Sequence, residues 1–285
     1  MKITSRVIAT LIVVVMVAVG VGCNPTKKII KSGDPDLIYD EALKYYEQEE
    51  WSKASKLFET AEPYFEGTRR EDTLMFYMAR CMFKERDYDS ASQLLDNFRR
   101  TYGRSAFIED VEGMYTLCYY YMSPKPERDQ TLTQQAIVVI DEFTSRYPDS
   151  EQLDVFADLR VELVNKLHVK AFNNAYIYYK IGKYKSAIMT FKNVLKRYPE
   201  SAQRETVLYY IVLSSYDLAH NSVLSKKEDR YLDMIDSYYT FIAEFPESVY
   251  RKELDDKLRR ARKYIELSEM KRKGTEIEDK VLENN

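Results

Sequence analysis

Apolar residues recur at helical spacing along most of the chain, in runs that each end at a related four-residue motif. The sequence Tyr-Pro-Asp-Ser at 147–150 returns as Tyr-Pro-Glu-Ser at 198–201 and as Phe-Pro-Glu-Ser at 245–248, and Tyr-Gly-Arg-Ser at 102–105 is a degenerate copy. Helix pairs that repeat with a fixed period are typical of helical solenoids, in which each pair buries its apolar face against its neighbours. The pattern therefore predicts an all-α chain whose extended surface binds other proteins.

The first helix pair is predicted over 35–65, starting at the helix-initiating dipeptide Asp34-Pro35. Its small Ala42, aromatic Tyr45, turn residue Trp51 and small Ala54 are arranged as in the tetratricopeptide repeat, which this stretch resembles. The same spacing of small and aromatic residues returns in the following units. We therefore expect a right-handed superhelix of about five tetratricopeptide-like helix hairpins.

The later units depart from a strict period. The third unit is predicted as a first helix near 107–122, an insertion at 123–129 and a second helix over 131–146. The fourth follows a long helical stretch that starts at Glu151. The fifth is predicted as a first helix near 205–219, a polar insertion at 220–229 and a second helix over 231–244. A highly charged helix over about 250–271 is expected to cap the array, because terminal repeats need a polar outer face.

The first residues differ from the repeats. Lys2 and Arg6 precede an apolar run from Val7 to Val21, which is shorter than the roughly 20 residues that span a membrane. A secretory signal peptide fits this pattern, and an uncleaved membrane helix is the alternative. The predicted segments are a signal peptide at 1–22, a lipidated N terminus and tether at 23–34, the repeat solenoid at 35–271 and a disordered tail at 272–285.

The end of the apolar run resembles a lipobox, the processing site of bacterial lipoproteins. The sequence Gly-Val-Gly-Cys at 20–23 has Gly20 and Val21 where Leu and Ala or Ser are usual. The resemblance implies that Cys23 is lipidated and becomes the mature N terminus. Because Asn24 rather than Asp follows, it also implies a membrane anchor at the periplasmic face of the outer membrane.

Composition narrows the function classes. A net charge of −3 without a dominant basic stripe gives no sign of nucleic-acid binding. His168 and His220 lie far apart, and no Cys/His spacing or glycine-rich loop indicates a metal or phosphate site. Cys81 and Cys118 are expected to be buried thiols, since equivalent positions of stacked helices lie about 9–10 Å apart, too far for a disulfide. We therefore expect neither an enzyme nor a cofactor.

Three stretches resemble one family more specifically. Arg-Asp-Gln at 128–130 before the second helix of the third unit, and the segments 163–168 and 175–188, are similar to the BamD family of the β-barrel assembly machinery. The resemblance covers the whole mature chain, with repeat units directly after a lipobox. It implies binding to the POTRA domains of a BamA-like barrel insertase. It also implies binding of unfolded outer-membrane proteins through a C-terminal signal that ends in an aromatic residue.

The first helix of each pair is expected to line a concave face that binds this client signal. By repeat position, the client-peptide groove is formed by Tyr39, Tyr46, Phe76, Arg80, Phe83, Lys84 and Tyr120. Aromatic side chains suit an extended apolar peptide, and the two cations suit a chain-terminal carboxylate. The alternative is that many of these residues are ordinary core of a Tyr-rich helical chain.

The family resemblance also implies that about 131–271 form the platform for the insertase. Arg259, Arg260 and Arg262 would give this platform a cationic edge for an acidic partner surface. Another periplasmic tetratricopeptide-repeat adaptor lipoprotein of the cell envelope is the main alternative. A glycan-binding outer-membrane lipoprotein is disfavoured, because no sugar-binding insert fits in this length.

Overall fold

A computed structural model describes residues 25–283, and every regular element in that part of the chain is a helix. In chain order they are α1 (Pro25–Ser32), α2 (Pro35–Glu47), α3 (Trp51–Phe65), α4 (Glu71–Lys84), α5 (Tyr88–Thr101), α6 (Ile108–Met122), α7 (Thr131–Arg146), α8 (Leu153–Lys180), α9 (Tyr184–Arg197), α10 (Arg204–His220), α11 (Leu224–Glu244) and α12 (Arg251–Glu283). Consecutive helices pack together as hairpins, so the predicted all-α repeat fold is confirmed.

The described chain divides into two compact units. Unit 1 holds the chain up to Ser123 together with Thr131–Ala157, and unit 2 holds Pro124–Gln130 together with the chain from Asp158. The insertion of the third repeat thus belongs to unit 2, while α7 belongs to unit 1. Within unit 2, the Lys170 ammonium of α8 donates hydrogen bonds to the carbonyls of Glu127 and Arg128, at 2.9 and 3.1 Å, and so holds the insertion in place.

The recurring four-residue motif is a connector that ends one helix and starts the next. In the copy at 147–150, the Tyr147 amide donates to the Phe143 carbonyl and so closes α7. The Ser150 hydroxyl then accepts from the Gln152 amide at 3.3 Å, satisfying a donor at the start of α8. The serines of the other copies accept in the same way, from the amides two residues on, at 3.1–3.3 Å (Ser105, Ser201 and Ser248). The motif was visible in the sequence, and these hydrogen bonds explain its residue types.

The turn inside a hairpin uses a left-handed residue. Glu49, Arg86 and Gly182 have φ of 58°, 64° and 73° at the ends of α2, α4 and α8. In each turn the next amide reaches back to a helix carbonyl, as when the Lys183 amide donates to the Tyr178 carbonyl at 2.8 Å. Only Gly182 is free of a Cβ penalty here, so the two turns in unit 1 hold non-glycine residues in a strained conformation.

Each unit has its own apolar core at the positions where the sequence repeats small and aromatic residues. In unit 1 the small Ala54 and Ala91 are fully buried and let neighbouring helices approach closely, and Phe58 and Phe98 fill the space beside them. In unit 2 the helix α10 is buried along most of its surface, because α9, α11 and α12 all pack against it. Both described cysteines, Cys81 and Cys118, are buried free thiols as predicted, and burial raises the pKa of each to about 12.

Three predicted segments differ from the structure. The tether forms the helix α1, and the insertion expected at 220–229 is mostly the start of α11, so only Asn221–Val223 lie between the helices. The last helix continues past Lys271 to Glu283, through most of the stretch predicted to be disordered. The predicted signal peptide and Cys23 lie outside the described residues, and these boundaries stay predictions. Among the helices described, none is both long and apolar enough to cross a membrane.

Candidate functional site

Two of the residues predicted to line the client groove lie in the core instead. Tyr39 and Phe76 are only 5% and 3% exposed, so neither ring faces a groove, and the prediction is wrong for both. The physical reason is that a side chain from the following connector covers each ring. The Arg70 guanidinium lies 4.7 Å from the Tyr39 ring, and Phe107 stacks on Phe76 with ring centroids 4.4 Å apart.

The remaining aromatic residues of the predicted groove form part of a larger half-exposed surface in unit 1. We call this surface the aromatic strip, and it consists of Tyr46, Trp51, Phe83, Tyr88, Tyr120 and Tyr121. Its ring contacts form two groups. Tyr46 lies 5.2 Å from Trp51 in the first, and Tyr88 stacks on Tyr121 at 4.7 Å in the second, which also holds Phe83 and Tyr120. Half of the Tyr121 side chain is exposed, at 51%. The strip therefore presents ring faces and edges that an apolar peptide can contact.

Two cations lie beside the strip. The Arg80 guanidinium is 5.9 Å from the Tyr46 ring, and the Lys84 ammonium is 5.9 Å from the Trp51 ring. Among the side chains that the structure describes, no carboxylate forms an ion pair with Arg80 or Lys84. Both cations are thus available to an incoming carboxylate, next to rings that would hold an apolar side chain.

Burial sets the charge state of the strip. It raises the pKa of Tyr46 and of Tyr88, so both phenols stay protonated near neutral pH and can donate hydrogen bonds. The surface around Arg80 and Lys84 is therefore cationic, with aromatic groups that carry no charge. This combination can bind an extended chain that ends in an aromatic residue and a carboxylate.

Sequence reasoning missed Trp51, Tyr88 and Tyr121 as surface residues of the site. Trp51 and Tyr88 open the second helix at the same position of successive units, and this shared position was the available signal. The predicted groove uses first-helix positions alone, which leaves out Trp51 and Tyr88, whereas Tyr121 lies on the first helix α6, next to the predicted Tyr120. Tyr120, which was predicted, contacts Tyr121 at 5.2 Å and is half-buried.

The predicted cationic edge of unit 2 lies on α12. Arg259, Arg260 and Arg262 are all exposed. Arg259 pairs with Asp256 on the same helix, and Arg262 donates to the hydroxyl of Tyr239, whose ring its guanidinium also contacts at 6.0 Å. The three arginines therefore share an exposed region in which partial pairing with local groups orders two of them.

The described residues do not converge into a metal site. No group of three or more His, Cys, Asp or Glu side chains in that part of the chain converges as metal ligands would. The buried His168 contacts the Tyr198 ring at 4.1 Å, and burial lowers its pKa. A ring packed in this way is a core residue rather than an exposed acid or base.

Comparison with known proteins identifies relatives along most of the chain. The family model YfiO, described as outer membrane lipoprotein, matches residues 31–167 and 165–275. The outer membrane protein assembly factor BamD of Caulobacter vibrioides is 26% identical over 72% of this chain and 68% of its own length. The putative outer membrane protein assembly factor BamD of Aquifex aeolicus is 23% identical over 66% of this chain and 62% of its own length.

Two solved structures show a weaker likeness. A TPR repeats protein from Bacteroides fragilis covers 81% of this chain and 99% of its own, at 11% identity and a TM-score of 0.40. The TPR2AB domain of yeast Sti1, in a complex with pHSP90, covers 80% of this chain and 98% of its own, at 15% identity and a TM-score of 0.38. Both scores are too low to add to what the helices themselves show.

Proposed function

Because this chain belongs to the YfiO family of outer membrane lipoproteins, we propose that it is a lipid-anchored scaffold of outer-membrane protein assembly. The observation that carries the proposal is the match of the family model along residues 31–167 and 165–275. The similar proteins of Caulobacter vibrioides and Aquifex aeolicus are named assembly factors. In this role the chain performs no chemistry. It binds unfolded clients through unit 1. It also binds the POTRA domains of a BamA-like insertase, and about 131–271 form the platform for this contact.

The aromatic strip supports the client-binding part of the proposal. A client's terminal ring would pack beside Trp51 and Tyr121, and its carboxylate would approach Arg80 or Lys84. Burying one such ring is worth roughly 1.5–3 kcal/mol. An exposed carboxylate pair adds about 1 kcal/mol or less, so the aromatic contact dominates the affinity.

A peptide titration tests this site. Tyr121→Ala should weaken binding of a peptide that ends in an aromatic residue by about tenfold, whereas Lys84→Ala should weaken it by about threefold or less. Tyr64→Ala is the matched control, since Tyr64 is a 58% exposed tyrosine of unit 1 outside the strip. Equal binding by Tyr121→Ala and wild type, or no effect of removing the peptide's terminal ring, would exclude the strip as the client site.

The exposed arginines of α12 support the insertase-binding part. An acidic partner surface would gain from Arg259, Arg260 and Arg262 mainly in association rate and specificity. The double variant Arg260→Glu/Arg262→Glu should lose co-purification of the insertase from membranes. Lys56→Glu/Arg104→Glu makes the same charge change on exposed residues of unit 1 and should retain it. The reverse outcome would move the platform to the first two repeats.

Cys23 is the proposed anchor. Cys23→Ala should remain soluble in the periplasm or keep its signal peptide, because no acyl chain holds it to the membrane. Fractionation of this variant with the outer membrane in cells without the insertase would contradict the anchor. A role as a different periplasmic repeat adaptor predicts membrane fractionation that depends on Cys23, but no co-purification of a POTRA-containing barrel protein.

A further inference from the structure

The first helix, α1, has two faces of different chemistry. It packs against α2 and α3, and Ile29 and Ile30 contact the apolar core of unit 1. Lys27, Lys28 and Lys31 are exposed, and at 3.6 residues per turn they fall on the side of the helix opposite the two isoleucines. The inner face therefore fixes α1 to unit 1, while the outer face presents three ammonium groups to solvent.

No carboxylate among the described side chains forms an ion pair with the three lysines of α1. The acidic residues that follow α1 in the chain have other partners. The Asp34 carboxylate accepts from the amides of Asp36 and Leu37, at 3.1 and 3.3 Å, and the Asp36 carboxylate pairs with Arg70. Residues 23–33 contain the three lysines and no Asp or Glu, so this segment is purely cationic.

The hairpin behind α1 carries the opposite charge. Residues 34–66 contain ten acidic and three basic residues, and exposed carboxylates lie on both α2 and α3. An anionic surface therefore attracts α1 and repels the hairpin to which α1 is fixed. Because a helix is about 10 Å wide and the Debye length is about 8 Å at physiological ionic strength, a surface that contacts α1 is largely screened from the acidic residues behind it.

The position of α1 in the chain puts it beside the proposed lipid anchor. Cys23 precedes Pro25 by two residues, which span at most about 7 Å of extended chain. Acyl chains on Cys23 would thus hold the start of α1 within about one Debye length of the lipid headgroups. Near an anionic membrane, each lysine raises the partition onto the membrane by about fivefold.

We propose that α1 binds the headgroups of anionic phospholipids through Lys27, Lys28 and Lys31, and so holds unit 1 on the membrane in one orientation. The inference rests on the proposed anchor at Cys23 and adds a contact that the anchor does not itself require. Stable attachment takes two signals, and the basic face of α1 is the second. Because α1 is packed on the first hairpin, the contact also keeps the aromatic strip at a constant height above the bilayer.

The test uses the mature full chain with one alkyl chain coupled to the Cys23 thiol, because a single chain gives marginal, reversible membrane binding. Cys81 and Cys118 are buried, with pKa values of about 12, so coupling is selective for Cys23. Partition is measured on vesicles of equimolar phosphatidylcholine and phosphatidylglycerol, and on vesicles of phosphatidylcholine alone.

The informative variant is Lys27→Gln/Lys28→Gln/Lys31→Gln, which keeps helix propensity because glutamine and lysine are similar helix formers. Its partition onto the anionic vesicles should fall at least tenfold, and its partition onto phosphatidylcholine should match that of wild type. The variant with arginine at the same three positions keeps the charge and should bind the anionic vesicles as wild type does.

A matched control removes the same charge elsewhere in unit 1. Arg86→Gln/Arg100→Gln/Arg104→Gln changes exposed residues of the second repeat and should stay within twofold of wild type. Equal binding of the lysine variant and wild type, equal losses in the two glutamine variants, or equal binding of wild type to both kinds of vesicle would each overturn the proposal. Since the alkyl chain is coupled chemically, these results do not depend on whether cells lipidate Cys23, which fractionation of Cys23→Ala tests separately.

Discussion

The helices α6 and α10 occupy the same place in units 1 and 2, yet an equivalent buried position holds a charged residue in α6 and an apolar residue in α10. Glu112 of α6 is 6% exposed and pairs with Arg146 and with Arg99, whose Nε lies 3.9 Å away. Leu208 occupies the equivalent position of α10 and is 4% exposed. Repeat position thus sets the shape of the backbone, while individual side chains decide whether the equivalent buried position holds an ion pair or an apolar contact.

The residues that surround Glu112 in unit 1 and Leu208 in unit 2 also differ. Where unit 1 has Arg99 and Arg146, unit 2 has Leu195 and Glu244, and Glu244 pairs with Arg204 instead. The ion pairs of unit 1 and the apolar contacts of unit 2 therefore each depend on several coordinated positions. Exchanging one residue between the units should be costly, and the following predictions use such exchanges to test the comparison.

The largest effect is expected for Leu208→Glu. This change buries a carboxylate beside Leu195 and near Glu244, with neither of the arginines that serve Glu112. We expect a loss of roughly 3–5 kcal/mol in the free energy of unfolding, measured by urea denaturation. Hydrogen exchange of the α10 amides should become faster, because this helix opens locally. A loss below about 1 kcal/mol would mean that water reaches position 208 and hydrates the charge.

The converse change in unit 1 should cost less. Glu112→Ala leaves Arg99 without its buried partner, but Arg146 is half-exposed and regains water, so we expect a loss of about 2–3 kcal/mol. Glu112→Leu restores the lost volume and should cost about 1 kcal/mol less than Glu112→Ala. The readout is the labelling rate of Cys118 on α6, which reports local opening because the buried thiol is unreactive in the folded state. Equal rates in the two variants would contradict the volume argument.

A smaller, pH-dependent effect is expected in unit 2. Burial lowers the pKa of His168 below its unfolded value of 6.5, so its stabilising contribution is present above pH 6.5 and is lost as the pH falls through the folded pKa. Acidification should therefore increase exchange in α8 and α9 before it affects unit 1. His168→Phe should remove this dependence. Persistence of the acid sensitivity in that variant would assign it to other groups.

The smallest effects are expected at the hairpin turns. Glu49→Gly and Arg86→Gly should each stabilise unit 1 by about 0.5–1 kcal/mol, because glycine adopts positive φ without a Cβ penalty. Gly182→Ala should destabilise unit 2 by a similar amount. Thermal denaturation of the three variants measures the two expected gains in stability and the expected loss. A destabilised Arg86→Gly would show that the arginine side chain contributes more than its backbone strain costs.

The helices were largely predictable because their signals are local. The apolar period, Pro35 and the repeated connectors determined most helix boundaries, and the second helix of the third unit was predicted at its observed bounds. The buried positions of Tyr39 and Phe76 were not predictable from repeat phase, since the residues that cover them come from the next connector.

The connectors also make the chain divisible. Each copy closes the preceding helix through the amide of its aromatic residue and caps the next helix through its serine hydroxyl, although Ser105 also donates to Asp72 of α4. A hairpin bounded by two copies is therefore a cassette with standard ends. The segment between the connectors at 102–105 and 147–150 could therefore be exchanged for that between 198–201 and 245–248 with the backbone hydrogen bonds of both junctions kept.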